Sequence, residues 1–290
     1  PVRQRNPCMT SPADPAAPVA AETIELPFVT LVFEGPLATL TLDDPDRLNA
    51  MGPDMAGAII TAINEVAKPR RRCRALLITG RGRAFCAGVN LMGNRQAVAE
   101  GTARLPAVSP LEGLFHPMLR RLHRLPIPVI AGVNGLAVGI GLGLVMAADY
   151  VVAADTAWFQ APFRNLASAP DSGLTCLLRD TIGPLRAKRM LMRAERVPAQ
   201  DALAWGMVSE VVPAADLAAR AREVAGEFAG GPTIALAEIK QLLDCNRRTA
   251  LQAAFEAEAA AVAVTSRTKD NVAAIRVFGK KDAKPVFTGE

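Results

Sequence analysis

The chain has 290 residues, of which 50% are hydrophobic and 21% are charged. This composition supports a large buried core and excludes an intrinsically disordered protein. The 33 Lys and Arg residues exceed the 28 Asp and Glu residues, giving a formal net charge of +5, and only 4% of the residues are aromatic. No long basic tract with interleaved aromatic residues is present, so we expect no nucleic-acid partner. The small positive surplus suits an anionic small ligand.

The five cysteines are an odd number, lie far apart and include no CxxC pair; they are Cys8, Cys73, Cys86, Cys176 and Cys245. This pattern argues against a disulfide framework and against a zinc site. We therefore expect no metal, and a reducing, cytoplasmic location.

Two segments have compositions that differ from those of ordinary strands and helices. Residues 1–22 hold five prolines among alanines and polar residues, a composition that predicts a mobile tail. The run from Val129 to Ala148 has 20 residues without a charge, which is long enough to cross a bilayer. Its five glycines and Asn134 dilute its hydrophobicity, so we interpret it as a buried strand and glycine-rich loop of a soluble protein, not as a membrane span.

The first predicted elements form a hairpin followed by a crossover. Alternating β-branched and polar residues predict strands over 28–33 and 37–42, joined by a turn at Gly35-Pro36. Apolar residues at helical spacing predict a helix over Pro53–Ala67, and the apolar run Ala75–Thr79 predicts a buried strand. A helix between two strands indicates a βαβ crossover.

The remaining elements continue this alternation and then become helical. A helix is predicted over Leu111–Leu125, then a strand over Val129–Val133, a helix toward Ala148 and a strand over Tyr150–Ala153. Beyond Gly183 the sequence predicts helices with one short strand near 208–212; the helices cover 187–193, 199–205, 214–228, 234–244 and 250–265.

Two glycine-rich loops follow buried strands, one over Gly80–Asn90 and one over Asn134–Gly141. Glycines between a strand and a helix let a ligand approach the backbone and leave N–H groups free at the start of the helix. Such a pair of loops can hold an anionic oxygen. Two alternatives stay open: the glycines allow close strand–helix packing only, or they form a dinucleotide-binding turn.

Several motifs in a fixed order resemble the crotonase superfamily, the enoyl-CoA hydratase/isomerase group. They are TGRGRAFCAG at 79–88, AGVNGLAVGIGLGL at 131–144, Ala148-Asp149-Tyr150, Pro170-Asp171-Ser172-Gly173 and KPVFTG at 284–289. The similarity extends from residue 28 to residue 290. The number of motifs makes the resemblance far more specific than either glycine loop alone.

The resemblance implies an α/β fold, a crotonase-like spiral of ββα units with a helical C-terminal trimerisation region. The spiral core would cover 23–213 and bind acyl-CoA, and the helical region would cover 214–290. It also implies a homotrimer or a dimer of trimers. Coenzyme A would enter as part of the thioester substrate, with no permanently bound cofactor and no membrane partner.

The family's oxyanion hole consists of two backbone N–H groups, which map onto Val89 and Ile140. Such donors stabilise the enolate oxygen of the thioester by about 3 kcal/mol each. Ile140 stands where glycine is commoner in the family, which affects the local geometry. The resemblance also places Arg47, Leu48, Asn49 and Ala50 near the adenine end of coenzyme A, and it makes Ala87 a further residue that binds coenzyme A. Phe278 and Lys281, expected in the last helix, resemble residues that reach the nucleotide from a neighbouring subunit.

The carboxylates decide between the reactions of the family. A hydratase of this family uses two glutamates to activate water, but the matching positions here are Gly143 and Phe163. Asp171 instead resembles the catalytic aspartate of certain enoyl-CoA isomerases of aromatic degradation and of chlorobenzoyl-CoA dehalogenase. One carboxylate can carry a proton between two carbons of an allylic enolate. We therefore expect an enoyl-CoA isomerase that shifts a double bond, as part of fatty acid metabolism.

Alternatives remain for the individual residues and for the function. The PDSG segment also suits a turn in which Asp171 caps a helix. Glu112 is a candidate second carboxylate, while His116 and His123 are interpreted as surface residues and Cys86 as a packing residue. The alternative functions are a hydratase with other acid/base groups and a non-catalytic acyl-CoA-binding protein.

Overall fold

The structure, a computed structural model, describes residues 21–92, 109–280 and 283–290. Within these ranges the strands form two sheets, one with seven strands and one with four. No helix in the same ranges is both long and apolar enough to span a membrane. The expected positions of Lys281 and of residues 1–20 lie outside the described residues.

The large sheet begins as an antiparallel meander of β1 (Glu22–Leu26), β2 (Val29–Glu34) and β3 (Leu37–Leu42). Helix α1 (Pro53–Val66) then leads to β4 (Ala75–Gly80), which pairs with β3 in parallel. The predicted hairpin and the predicted βαβ crossover are thus confirmed. The chain adds β1, which the sequence analysis did not predict.

After β4 the chain repeatedly places one strand in each sheet. The strands β6 (Val129–Val133), β8 (Tyr150–Ala154) and β11 (Glu210–Val212) extend the large sheet in parallel. Short strands build the small sheet: β5 (Ala84–Cys86), β7 (Leu136–Val138) and β9 (Trp158–Gln160) follow β4, β6 and β8, and β10 (Val197–Pro198) precedes β11. This repetition is the spiral of strand pairs and helices expected from the resemblance.

The uncharged run 129–148 is divided among β6, β7 and the short helix α3 (Ile140–Met146). All seven residues of α3 are buried. The run therefore fills the core between the sheets, which confirms its interpretation as a strand followed by a glycine-rich loop.

Helix α2 (His116–Arg124) follows one π-helical turn over Leu111–Phe115, in the region where the sequence predicts a single helix. The expectation that His116 and His123 lie on the surface is wrong, since their side chains are 3% and 7% exposed. His116 stacks on Phe255 with ring centroids 4.5 Å apart. Burial lowers the pKa of His116 to about 4 and that of His123 to about 3, so both imidazoles are neutral at pH 7.

Helices dominate the C-terminal third, as predicted, but their bounds differ. They are α4 (Leu174–Arg193), α5 (Ala199–Trp205), α6 (Leu217–Gly230), α7 (Thr233–Thr265) and α8 (Lys269–Val277). The two helices predicted over 234–244 and 250–265 are one helix of 33 residues. Phe278 follows the last helix instead of lying within it.

A partly buried ion pair joins α7 to the residues that precede β6 and β8. Lys240 Nζ donates to Asp149 Oδ2 at 2.7 Å and to the Ile127 carbonyl at 3.3 Å. The same carboxylate oxygen accepts the Val129 N–H at 2.8 Å. This contact ties the N-terminal half of α7 to the sheet, while Leu251 and Phe255 of its C-terminal half contact Gly173.

Candidate active site

The first glycine-rich loop is bound to the segment that precedes α1. The Asn49 side chain is fully buried; its Nδ2 donates to the carbonyls of Ala84 and Arg81 at 2.8 and 3.0 Å. Its Oδ1 accepts the Asp44 N–H at 2.8 Å. The Ala87 N–H donates to the Leu48 carbonyl at 3.0 Å. Residues 44–50 and the loop 81–87 therefore form one packed unit.

This unit contains five of the residues expected to contact coenzyme A, Asn49 among them. Leu48, Ala50 and Ala87 lie on adjoining stretches of backbone. The Arg47 side chain is 60% exposed and lies 3.4 Å from Asp44 Oδ2. An exposed guanidinium at this edge is available for a phosphate group. The role of all five residues stays a prediction, as does that of Phe278.

The Val89 N–H is free of backbone pairing. The Met51 N–H donates to the Gly88 carbonyl at 2.7 Å, and the Asn90 N–H donates to the Met51 carbonyl at 2.9 Å. In this parallel bridge the intervening Val89 N–H points away from Met51. It has no hydrogen-bond partner within the described ranges. Gly88 adopts φ +95°, which favours glycine, and so turns the backbone at this point.

The Ile140 N–H belongs to the first turn of α3, where backbone donors have no partner within the helix. It has no partner elsewhere in the part of the chain that the structure describes. A Cβ on the preceding Gly139 would stand 3.9 Å from the Cα of Gly88. The two glycine loops therefore adjoin, and each offers an unpaired donor near the junction. This arrangement supports the predicted oxyanion hole.

Cys86 fills the space beneath this junction. A Cβ on Gly141 would stand 2.6 Å from the Cys86 carbonyl oxygen and 2.7 Å from its Cβ. Complete burial raises the pKa of the Cys86 thiol to about 12, which keeps it protonated and a poor nucleophile. The interpretation of Cys86 as a packing residue is confirmed.

The two positions that match the hydratase glutamates cannot transfer a proton. A Cβ on Gly143 would stand 2.8 Å from the Cβ of Ser172, so the turn at 170–173 occupies the space next to α3. The Phe163 side chain is buried in the apolar core. The close packing of Ser172 on Gly143 places the neighbouring Asp171 beside α3.

Asp171 has the properties of a proton carrier. The Ser172 hydroxyl donates to its Oδ1 at 2.6 Å. Burial is the main cause that raises the pKa of Asp171 to about 7, from an ordinary value of 3.8. The Ser172 hydrogen bond opposes this rise, and the negative charge of Glu258 adds to it. A carboxyl group that titrates near neutral pH can both accept and return a proton.

The alternative that Asp171 caps a helix is wrong. The N terminus of α4 is held by Glu258, which accepts the N–H of Gly173 at 2.7 Å and that of Thr175 at 2.9 Å. The sequence analysis missed Glu258, because it lies 85 residues from Gly173 and nothing in its local sequence marks it. The side chain of Asp171 is therefore left with the Ser172 hydroxyl as its hydrogen-bond partner in the described ranges.

Glu112 lies in the π-helical turn that precedes α2. Its exposed side chain lines a cavity of about 140 Å³ between the start of α2 and α7. His116, Arg120 and Phe255 line the same cavity. No hydrogen bond in the described residues joins Glu112 to the turn of Asp171. Its role as a second carboxylate stays a prediction.

Comparison with known proteins places these features in a family. The family model described as enoyl-CoA hydratase/isomerase matches residues 33–290. A crystal structure of an enoyl-CoA hydratase from Mycobacterium avium subsp. paratuberculosis superposes with a TM-score of 0.79 at 27% identity. The superposition covers 91% of this chain and all of that chain, so the spiral fold is that of the crotonase family.

Two curated relatives have similar lengths and different names. A probable enoyl-CoA hydratase of Rhodobacter capsulatus is 34% identical over 258 residues, which cover 89% of this chain and 96% of the relative. A 1,2-epoxyphenylacetyl-CoA isomerase of Escherichia coli is 34% identical over 263 residues, which cover 91% and 99%. The family match spans nearly the whole described fold, with both glycine loops. The chain therefore belongs to the enoyl-CoA hydratase/isomerase family of acyl-CoA enzymes.

Proposed function

We propose that this enzyme shifts the double bond of an enoyl-CoA thioester, with Asp171 carrying the proton. The observation that carries the proposal is the state of the Asp171 carboxyl group, which is partly buried, has a pKa raised to about 7 and is not used as a helix cap. The free N–H groups of Val89 and Ile140 would hold the thioester oxygen.

In the proposed reaction the ionised Asp171 removes a proton from C2 of a 3-enoyl-CoA. The electron pair of the broken C–H bond moves through the thioester carbonyl, giving a dienolate whose oxygen accepts hydrogen bonds from Val89 and Ile140. Each donor stabilises the developing charge by about 3 kcal/mol. The protonated Asp171 then delivers the same proton to C4, and the C2–C3 double bond forms. The reaction consumes no water and requires no second carboxyl group.

Water addition is the alternative that the hydratase-named relative raises. Hydration requires a base that activates water and an acid that protonates the α-carbon. Gly143 and Phe163 supply neither group at the positions where hydratases of the family carry glutamates. The Escherichia coli relative is named as an isomerase of an epoxide-bearing CoA thioester, so relatives of this chain include isomerases as well as hydratases.

The test is to incubate the purified protein with 3-enoyl-CoA and, separately, with 2-enoyl-CoA. We expect conjugated 2-enoyl-CoA to form from the first substrate. Asp171→Asn should lower kcat/KM by about 10²- to 10⁴-fold, because the amide cannot accept the proton. The pH profile of kcat/KM for the unmodified enzyme should rise with a midpoint near 7, since Asp171 must be ionised in the free enzyme.

Asp201→Asn, a matched change at an exposed position of α5, is the control and should leave the rate unchanged. An unaltered rate in Asp171→Asn would refute the role of Asp171. Formation of 3-hydroxyacyl-CoA from 2-enoyl-CoA would instead identify a hydratase, and binding of both thioesters without turnover would identify a non-catalytic protein.

A further inference from the structure

One face of α7 packs directly on the turn that carries Asp171. The nearest atoms of Leu251 and Phe255 lie 2.6 and 3.0 Å from the place where a Cβ on Gly173 would stand. Glu258 lies on the same face, because its spacing from these residues corresponds to one and two helical turns. Ser172 and Gly173 both have positive φ, 65° and 73°, so the turn adopts a left-handed backbone that requires support.

Glu258 provides this support through both of its carboxylate oxygens. Its side chain is 3% exposed. Oε2 accepts the Gly173 N–H at 2.7 Å, while Oε1 accepts the Thr175 N–H at 2.9 Å and the Thr175 hydroxyl at 2.6 Å. Burial raises the pKa of the Glu258 carboxyl group, whereas the hydrogen bonds from Thr175 and Gly173 act in the opposite direction and favour the ionised form. The Glu258 carboxylate also accepts hydrogen bonds from N–H groups at the start of α4 that have no partner within the helix.

We propose that Glu258 is a positioning residue for the reaction: its three hydrogen bonds fix the 171–175 turn and thereby the direction of the Asp171 carboxyl group. This inference rests on the proposed function of Asp171. Glu258 lies 85 residues from Gly173 in the sequence. The proposal thus makes its helix, α7, a part of the active site. Glu258 touches neither the substrate nor the proton in this scheme; it acts through Gly173 and Thr175.

The charge of Glu258 also affects the pKa of Asp171, and this effect can be measured separately from any effect on the stability of the fold. Within the described residues, Glu258 is the charged group whose field acts on Asp171, and the Ser172 hydroxyl is the hydrogen-bond donor. The negative charge of Glu258 raises the pKa of Asp171. Its removal should therefore lower this pKa and move the acid limb of the pH–rate profile to lower pH.

The experiment compares the intact enzyme with Glu258→Gln and with a control, Glu238→Gln, which changes an exposed glutamate on the same helix. In Glu258→Gln the amide NH₂ faces N–H donors, so at least one hydrogen bond is lost. We expect kcat to fall about tenfold, because a displaced catalytic group loses near-attack geometry. The pH midpoint should fall by about 0.5 to 1 unit, and amide hydrogen exchange at 171–177 should accelerate. The control should match the intact enzyme in all three measurements.

A second pair of variants tests the same contact without changing the buried charge. Thr175→Val removes one donor to Glu258 and should lower kcat and accelerate exchange in the turn, whereas Thr175→Ser keeps the hydroxyl and should restore both. If Glu258→Gln leaves the pH midpoint and the exchange rates unchanged, or if Thr175→Val behaves as Thr175→Ser does, the positioning role is refuted. An intact enzyme that does not isomerise 3-enoyl-CoA refutes the proposed function instead, and exchange in the turn then decides by itself whether Glu258 holds it.

Discussion

At the level of single residues, the Asp171 carboxyl group affects stability as well as chemistry. Its pKa is raised to about 7 in the folded protein, against an ordinary value of 3.8. The folded state therefore binds the proton more tightly than the unfolded state does. As the pH rises from the lower value through the higher one, the unfolded chain ionises first and the folded protein loses stability; above both values the loss is constant. Functional groups with such environments commonly reduce stability.

We predict that Asp171→Asn stabilises the protein while it lowers the activity. The amide cannot ionise and keeps an oxygen to accept the Ser172 hydroxyl. The free energy of unfolding should rise by about 1 to 3 kcal/mol at pH 8, where the buried charge is present, and much less at pH 4. Urea denaturation at the two pH values measures both numbers, with Asp201→Asn as the control. An equal gain at both pH values would show that burial of the charge is not the cause.

At the level of elements, the packing of α3 against the turn before α4 depends on one glycine. A Cβ on Gly143 would stand 2.8 Å from the Cβ of Ser172, closer than two such atoms can approach. We predict that Gly143→Ala costs about 1 to 3 kcal/mol of unfolding free energy, because the turn must move. The same displacement should lower kcat, since Asp171 moves with Ser172. Thermal unfolding and the isomerase assay measure the two effects.

The double variant Gly143→Ala/Ser172→Gly tests this cause, because glycine at 172 removes the atom with which the new methyl group collides. The cost of the alanine should become small in that background. Gly57→Ala on α1, where nothing lies within 4 Å of the new Cβ, is the control and should be neutral or slightly stabilising. A cost for Gly143→Ala that persists in the Ser172→Gly background would contradict the assigned contact.

The sequence predicts the long strands and helices of the fold better than its short strands. Strands β2, β3 and β4 and helix α1 have long periodic patterns, and their predictions are confirmed. The short strands β5, β7 and β9 have three residues each, which is too few for a period to appear, and two of them lie inside glycine-rich loops. The small sheet could not be predicted because its short strands pair with partners that are distant in the sequence.

The residues of the candidate site also fall into those that the sequence predicts and those that it does not. The glycine loops and Asp171 stand in local motifs that resemble a family, so they could be named before the structure. Glu258 and the burial of His116 could not, since each depends on a contact between α7 and a distant element. An amphipathic pattern gives the face of a helix but not its partner. Long-range contacts of this kind are where the sequence analysis failed.

At the level of the whole molecule, α7 presents two different surfaces. Its inner face carries Leu251, Phe255 and Glu258 to the turn of Asp171. Nearer its N terminus four large aliphatic side chains are exposed; Ile234, Ile239, Leu242 and Leu243 are 82%, 54%, 70% and 76% accessible. Scattered exposed apolar residues are ordinary, but several large ones within ten residues of one helix are typical of an interface. We therefore keep the expectation of a homotrimer or a dimer of trimers, with this segment at the contact.

The assembly can be tested with the double variant Leu242→Ser/Leu243→Ser. Both side chains are exposed in the single chain, so their replacement should cost little folding stability, whereas burial of each leucine between subunits would contribute about 1.5 to 3 kcal/mol. Light scattering over a dilution series should give a trimeric or hexameric mass for the intact protein and a shift toward the monomer for the variant. Glu238→Gln, on the same helix, should leave the mass unchanged. Since α7 also holds the turn of Asp171, loss of assembly should lower activity in parallel; an intact protein that is monomeric throughout would overturn the expectation.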